Sequence, residues 1–135
     1  MNDQEIEQEI QAKGLTAPRV TPADIEAEIA SEHYFTAWDG VQGAFEAGNL
    51  YQQEHEYDTL TQAPPATTAY ESLRLLTFCV LRLRNGFTVT GESACASPEN
   101  FNAEIGRKIA RQNAVQKIWP LMGYALRERL SADAA

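Results

Sequence analysis

The pair Asn85-Gly86 constrains this chain more than any other feature, because it separates two β-prone runs, Leu75–Arg84 and Phe87–Ser93. Asn-Gly between such runs is a strong hairpin signature, since both turn positions need a positive φ that these two residues tolerate. With Arg84 opposite Phe87, one face carries Leu76, Phe78, Val80, Phe87 and Val89. The other carries Leu75, Thr77, Cys79, Leu81 and Leu83 opposite Thr88 and Thr90. Both sides of the first strand are largely apolar, so both are expected to be covered. The same alternation sends Cys79 and Cys95 to opposite faces, which disfavours a disulfide. A helix from Tyr70 to Arg84 closed by Gly86 is the competing reading. The threonines and the run Phe87-Thr88-Val89-Thr90 favour the hairpin.

Helical signals flank the hairpin. Ser97-Pro98-Glu99-Asn100 has a capping serine, a proline suited to the first helical position and an early acid. Phe101, Ile105 and Ile109 then form an inward stripe that Ala110, Ala114, Val115 and Ile118 continue. Gly106, inside that helix, would let another backbone approach closely. Pro120 is expected to end or kink the helix, leaving a last helix from Leu121 to Leu130. Upstream, residues 3–13 read as a weakly anchored helix stopped by Gly14, with only Ile6 and Ile10 as its apolar stripe. Thr21-Pro22-Ala23-Asp24 starts another helix, expected to run to about His33 with Ile25 and Ile29 facing inward. The stretch 37–69 is rich in glycine, proline and threonine and reads as a loop-rich insertion with a short helix near 42–47. The expectation is one α+β domain, with N-terminal helices, a central antiparallel hairpin and two C-terminal helices separated by a proline kink. Its parts are acidic helices over 1–36, the insertion over 37–69, and a core of hairpin plus helices over 70–131.

Charge is unevenly distributed. The 135 residues have a net charge of −8, with −11 in residues 1–70 and +3 in residues 71–135. Binding to DNA or to an anionic membrane needs clustered cations, so direct DNA binding is not expected. The simplest account of the asymmetry is that the acidic half lies on the basic half. No apolar run approaches the roughly eighteen residues of a membrane helix, and Met1-Asn2-Asp3-Gln4-Glu5 is the reverse of a signal peptide. Two cysteines sixteen positions apart and two distant histidines lack the close pairs of a zinc site. A reduced, cytosolic protein is expected.

The strings Asn85–Cys95, Ser97-Pro98-Glu99-Asn100-Phe101 and Glu104-Ile105-Gly106-Arg107-Lys108-Ile109-Ala110, with Ala114, Trp119-Pro120-Leu121, Gly123-Tyr124 and Leu126, resemble the small phage protein family named after gene products of phages N4 and Sf6. The resemblance is close over residues 75–130 and extends to the Thr21–Tyr34 segment, leaving 37–69 outside the family's pattern. It implies a phage or prophage origin and the host cytoplasm, rather than an activity.

Catalysis would need a nucleophile, a base or a metal in mutual reach. The candidates are Cys79 or Cys95 with His33 or His55, and Ser93 with Glu92. Neither histidine lies in a motif, and Gly91-Glu92-Ser93 lacks the flanking glycines of a nucleophile elbow. The chain is expected to be non-enzymatic, without metal or cofactor. The preferred reading is a counter-defence accessory protein that binds an anionic nucleotide-type signal as a homo-oligomer. Thr88, Thr90 and Ser93 would supply hydroxyls beside a helix start at Ser97, with Arg107, Lys108 and Arg111 closing the anion pocket. The alternative is an acidic nucleic-acid mimic that inhibits a host defence protein through Glu5, Glu7, Glu9, Asp24, Glu26, Glu28 and Glu32. A structural or accessory phage role is the third reading. Self-association is expected in each case, because a two-stranded sheet is marginal alone.

Overall fold

The hairpin forms, and a third strand joins it. The computed structural model describes residues 2–49, 51 and 68–134. In order, the elements are α1 (Asp3–Ala12), α2 (Pro22–Glu28), β1 (Ile29–Thr36), α3 (Ala37–Glu46), β2 (Leu76–Leu83), β3 (Thr88–Ala94) and α4 (Ala103–Ala134). Single 3-10 segments lie at Thr68–Leu75 and Pro98–Asn100. The class is α+β, with a three-stranded antiparallel sheet in the order β1-β2-β3.

Local chemistry starts α2 as expected: Thr21 Oγ1 accepts the Asp24 N–H at 3.1 Å while Asp24 Oδ2 accepts the Thr21 N–H at 2.9 Å. The helix ends earlier than expected. It stops at Glu28, and Ile29–Thr36 pairs with β2 from Ile29 opposite Leu83 to Thr36 opposite Thr77. Residues 29–32 tolerate either state, and the exposed edge of the hairpin decides for strand. The run Tyr34-Phe35-Thr36 is the β-prone signal that marks it. A second capping box, Thr36 with Asp39, then starts α3 inside the stretch read as loop-rich. Residues 50 and 52–67 of that stretch, including His55 and Tyr57, lie outside the described residues.

The hairpin register differs by one residue from the two-residue turn. Leu83 N–H donates to Phe87 C=O at 2.8 Å, leaving Arg84-Asn85-Gly86 as a three-residue loop with Gly86 at φ +90°. Because side chains alternate, a slip of one exchanges the faces of β3. Val89 joins Cys79, Leu81 and Leu83, while Thr88 and Thr90 join Val80 and Arg82. Cys79 sits opposite Gly91, and Cys95 bonds beside Leu75, so the two free thiols are four rows, about 13 Å, apart along the sheet.

The C-terminal helices are one. α4 runs unbroken for 32 residues with Pro120 inside it, about 48 Å against about 26 Å for an eight-residue strand. Proline leaves the Gln116 carbonyl without its helical donor. Both residues are exposed, so solvent can take that bond. The helix also starts later than expected. Pro98–Asn100 is a 3-10 turn without a side-chain cap from Ser97, and Asn102 Oδ1 caps α4 by accepting the Ile105 N–H at 3.0 Å.

Its inward face is not the large apolar stripe. Gly106, Ala110, Ala114, Val115 and Ile118 are buried, whereas Ile105 and Ile109 are 55% and 42% exposed. Small residues win because helix and sheet meet backbone to backbone. A Cβ on Gly91 would lie inside the main chain of Ala110 and Ala114, and one on Gly106 would stand 3.1 Å from Thr77 Oγ1. Around this seam Ile25, Cys79, Leu81, Leu83, Val89 and Ile118 form the core. Each fully buried Ile or Leu contributes about 2 kcal/mol.

Gly91→Ala should therefore destabilise the protein by about 3 kcal/mol through overpacking. Gly123→Ala, on helix α4 with open space around it, should add about 1 kcal/mol. Urea denaturation of the two variants against the parent measures both.

Candidate functional site

Among the described residues, helix α4 covers one face of the sheet and leaves the other open. The parity of the strands then places Ser31, Arg82 and Thr88 in one outer row, His33, Val80 and Thr90 in the next, and Phe35, Phe78 and Glu92 in a third. Thr88, Thr90 and Glu92 are exposed and Phe35 is 39% exposed, while Phe78 and Val80 are half-buried. α3 and the first 3-10 segment pack beside the Thr36 end of the sheet, where Arg74 lies over the buried Trp38 ring at 4.8 Å.

The polar groups of this face are ordered by each other. Arg82 Nε donates to Ser31 Oγ at 3.1 Å, and Ser31 Oγ lies 3.0 Å from His33 Nε2. The Phe35 and Phe78 rings stack with centroids 5.6 Å apart and a 31° tilt. The face thus joins a guanidinium and hydroxyls at one end to an aromatic pair at the other. Such a surface suits an anionic group carried by a planar ring.

The covered face carries a different cluster. Arg111 on α4 bonds both carboxylate oxygens of Glu26 on α2, at 3.0 and 2.7 Å, and Glu32 on β1 at 2.8 Å. Glu32 also accepts from Tyr34 Oη at 2.7 Å. The Arg111 bond, then the Tyr34 bond, hold the Glu32 carboxyl below its usual range. Burial, then the Glu32 bond, raises the Tyr34 phenol, and burial raises the neighbouring Cys79 thiol. The cluster ties helix to sheet and leaves its nucleophile protonated and sealed.

The anion pocket expected from the sequence does not assemble within one chain. Thr88 and Thr90 point away from α4, while Arg107, Lys108 and Arg111 ride on it. Ser93 pairs with Thr77 on the α4 side, and Ser97 precedes the 3-10 turn rather than a long helix. Lys108 pairs with Glu104 at 3.2 Å, and Arg111 is held by two glutamates. The sequence reading missed Arg82, Ser31 and Phe35, because their site exists only once β1 is recognised as a strand. The candidate catalytic pairs are separated as well. Cys79 and His33 face opposite sides of the sheet, as do Glu92 and Ser93, and Cys95 Sγ lies 3.2 Å from the Ser97 carbonyl. His55 lies outside the described residues. Among the described residues no helix is long and apolar enough to cross a membrane.

The family model described as Phage protein (N4 Gp49/phage Sf6 gene 66) matches residues 20–130. No curated protein and no solved structure matches the chain.

Replacing Arg111 by methionine should cost about 1 kcal/mol at neutral pH, a modest figure because the partners are partly solvated. The Glu32 carboxyl is lowered on folding, so its contribution is full above the usual glutamate value and fades as the pH falls through the lowered one. The stability gap between parent and Arg111→Met, read from thermal melts, should therefore narrow in acid.

Proposed function

The chain belongs to the phage protein (N4 Gp49/phage Sf6 gene 66) family, and we propose that it is a non-enzymatic accessory protein that binds an anionic nucleotide-type ligand on the open face of its sheet. One observation carries this reading: the row Ser31–Arg82–Thr88 and the stacked pair Phe35–Phe78 share that face. Arg82 and Phe78 are four residues apart on β2, about 13 Å, so a base resting on the phenylalanines leaves its phosphate within reach of the long arginine side chain. Thr88 and Thr90 keep the role given them by the sequence, and Arg82 with Ser31 takes the place of the α4 cations. A second copy laid across the face would shield the aromatic pair and add a second guanidinium, which is the role we give to self-association. The biological setting we assign is counter-defence in the host cytoplasm, by withholding a nucleotide signal from the host.

Binding without turnover is supported by the sealed Cys79 thiol and by its separation from His33. The acidic-mimic reading is weaker, because five of its seven carboxylates already have work inside the chain. Glu7 pairs with Arg19, Glu9 with Lys13, Asp24 caps α2, and Glu26 and Glu32 hold Arg111.

A thermal-shift screen of mononucleotides, cyclic dinucleotides and ADP-ribose tests the reading. At a hundred times its dissociation constant a ligand adds about 2.7 kcal/mol, or roughly 10 °C for a domain of this size. At least one ligand should give such a shift, and Arg82→Ala should abolish it while leaving the ligand-free melt unchanged. No shift with any phosphate ligand, or a shift indifferent to Arg82→Ala, would overturn the proposal.

A further inference from the structure

Helix α1 lies outside the family match, and it is held to the rest of the molecule largely by polar side chains. It buries no residue, and Ile6 is 43% exposed. A ten-residue helix has marginal stability of its own. Polar side chains hold it instead. Asp3 Oδ2 accepts from Trp119 Nε1 at 3.1 Å and from Gln116 Nε2 at 3.2 Å, both on α4. One turn further on, Glu7 makes a two-pronged pair with Arg19 at 2.5 and 2.7 Å. That pair, with the Gln11 amide, holds the Glu7 carboxyl down to about 2.

Beneath α1 the fit is poor. An open depression of about 220 Å³ is lined by Ile6 and Ile10 of α1 together with Val20, Pro22 and Trp119. Past the N-terminus of α1 the groove continues as a cleft of about 800 Å³ along α4, reaching Ile109 and Lys108. The groove is therefore longer than the helix that sits in it, and its half-exposed isoleucine is left uncovered. Arg19, which holds Glu7, stands beside one end, and Lys108, paired with Glu104, lines the other.

We propose that this groove is a docking site for an acidic amphipathic helix of a protein partner, and that α1 is a displaceable latch occupying it in the partner's absence. The recognition chemistry is written in α1 itself: an aspartate, an apolar residue three positions later, a glutamate next, and a second apolar residue one turn on, as in Asp3, Ile6, Glu7 and Ile10. A partner helix with larger apolar side chains would fill the depression, and one extended beyond its aspartate would reach Ile109 and Lys108. Helix-in-groove recognition works in this way, with apolar anchors spaced along one face. The site is separate from the open face of the sheet and does not depend on a nucleotide ligand.

The test uses the full chain carrying Asp3→Asn, Ile6→Ala and Glu7→Gln together, which alters α1 and leaves every other groove residue in place. The probe is a fluorescein-labelled peptide copying residues 2–15. By fluorescence anisotropy the peptide should bind the triple variant at least tenfold more tightly than the parent, and Arg19→Ala added to the variant should remove that gain. Trypsin should cut at Lys13 and Arg19 faster in the variant, reporting that α1 has left the groove. Cleavage unchanged from the parent would mean that the named contacts do not hold α1, and would overturn the proposal. So would equal peptide affinity for parent and variant, or no binding to a variant whose linker has become sensitive. A parent that elutes as a dimer and a variant that elutes as a monomer would assign the groove to α1 of a second copy, and would also overturn it.

Discussion

The contact between Gly91 and the backbone of α4 is the constraint on which the rest of this structure depends. With no side chain in the way, the helix lies directly on β3, and Ala110 and Ala114 are the residues small enough to meet it. That approach brings Leu81, Cys79 and Val89 against Ile118 and excludes water from the core. It also settles everything on the other side. Once the odd-numbered residues of β2 and β3 face the helix, Arg82, Thr88 and Thr90 must face away from it. The candidate ligand surface is thus a consequence of how the core is packed. It also explains why Ile105 and Ile109, the larger apolar residues of α4, are displaced toward solvent by glycine and alanine.

Part of the charge segregation along the chain is used by the fold. Arg111, from the basic half, ties Glu26 and Glu32 of the acidic half to α4, so the two halves lie together as electrostatics favours. A charge placed in such a network is no longer available to steer a partner. This separates two kinds of surface that composition cannot distinguish. The acid-rich helices and the Arg107–Arg111 stretch are mostly structural or simply solvated. Arg82, on the same open face as two aromatic rings, has a single hydroxyl partner among the described residues. The polar row and the aromatic row share that face because three strands present both at once, which two strands alone would not.

Stability is unevenly distributed in the same way. The sheet and the central part of α4 share a continuous buried core, whereas α1 is held by a few side-chain bonds beside an open depression. Elements with few buried apolar contacts open at low free energy and are where binding-linked motion is found. Helix α1 is such an element, and the groove it occupies is lined by residues of α2 and α4, apart from the open face of the sheet.

What the residues declared on their own was local. The Asn85-Gly86 corner, the Thr21 capping box, the Gly14 stop and the α+β class follow from backbone preferences and from hydrogen bonds a few positions apart, so they are legible without the rest of the chain. The family was legible too, from the strings around that corner. The third strand was not, because Ile29–Glu32 suits a helix as well as a strand until the edge of the hairpin offers it partners. Nor was the one-residue shift at the turn, which is decided by burying Val89 and by seating Gly91 under α4. Continuity through Pro120 likewise depends on the Gln116 carbonyl facing solvent. Each of these choices compares two locally acceptable states and is made by surface buried against residues distant in sequence. Tertiary structure alone makes that comparison, and with it decides which side of the sheet α4 covers.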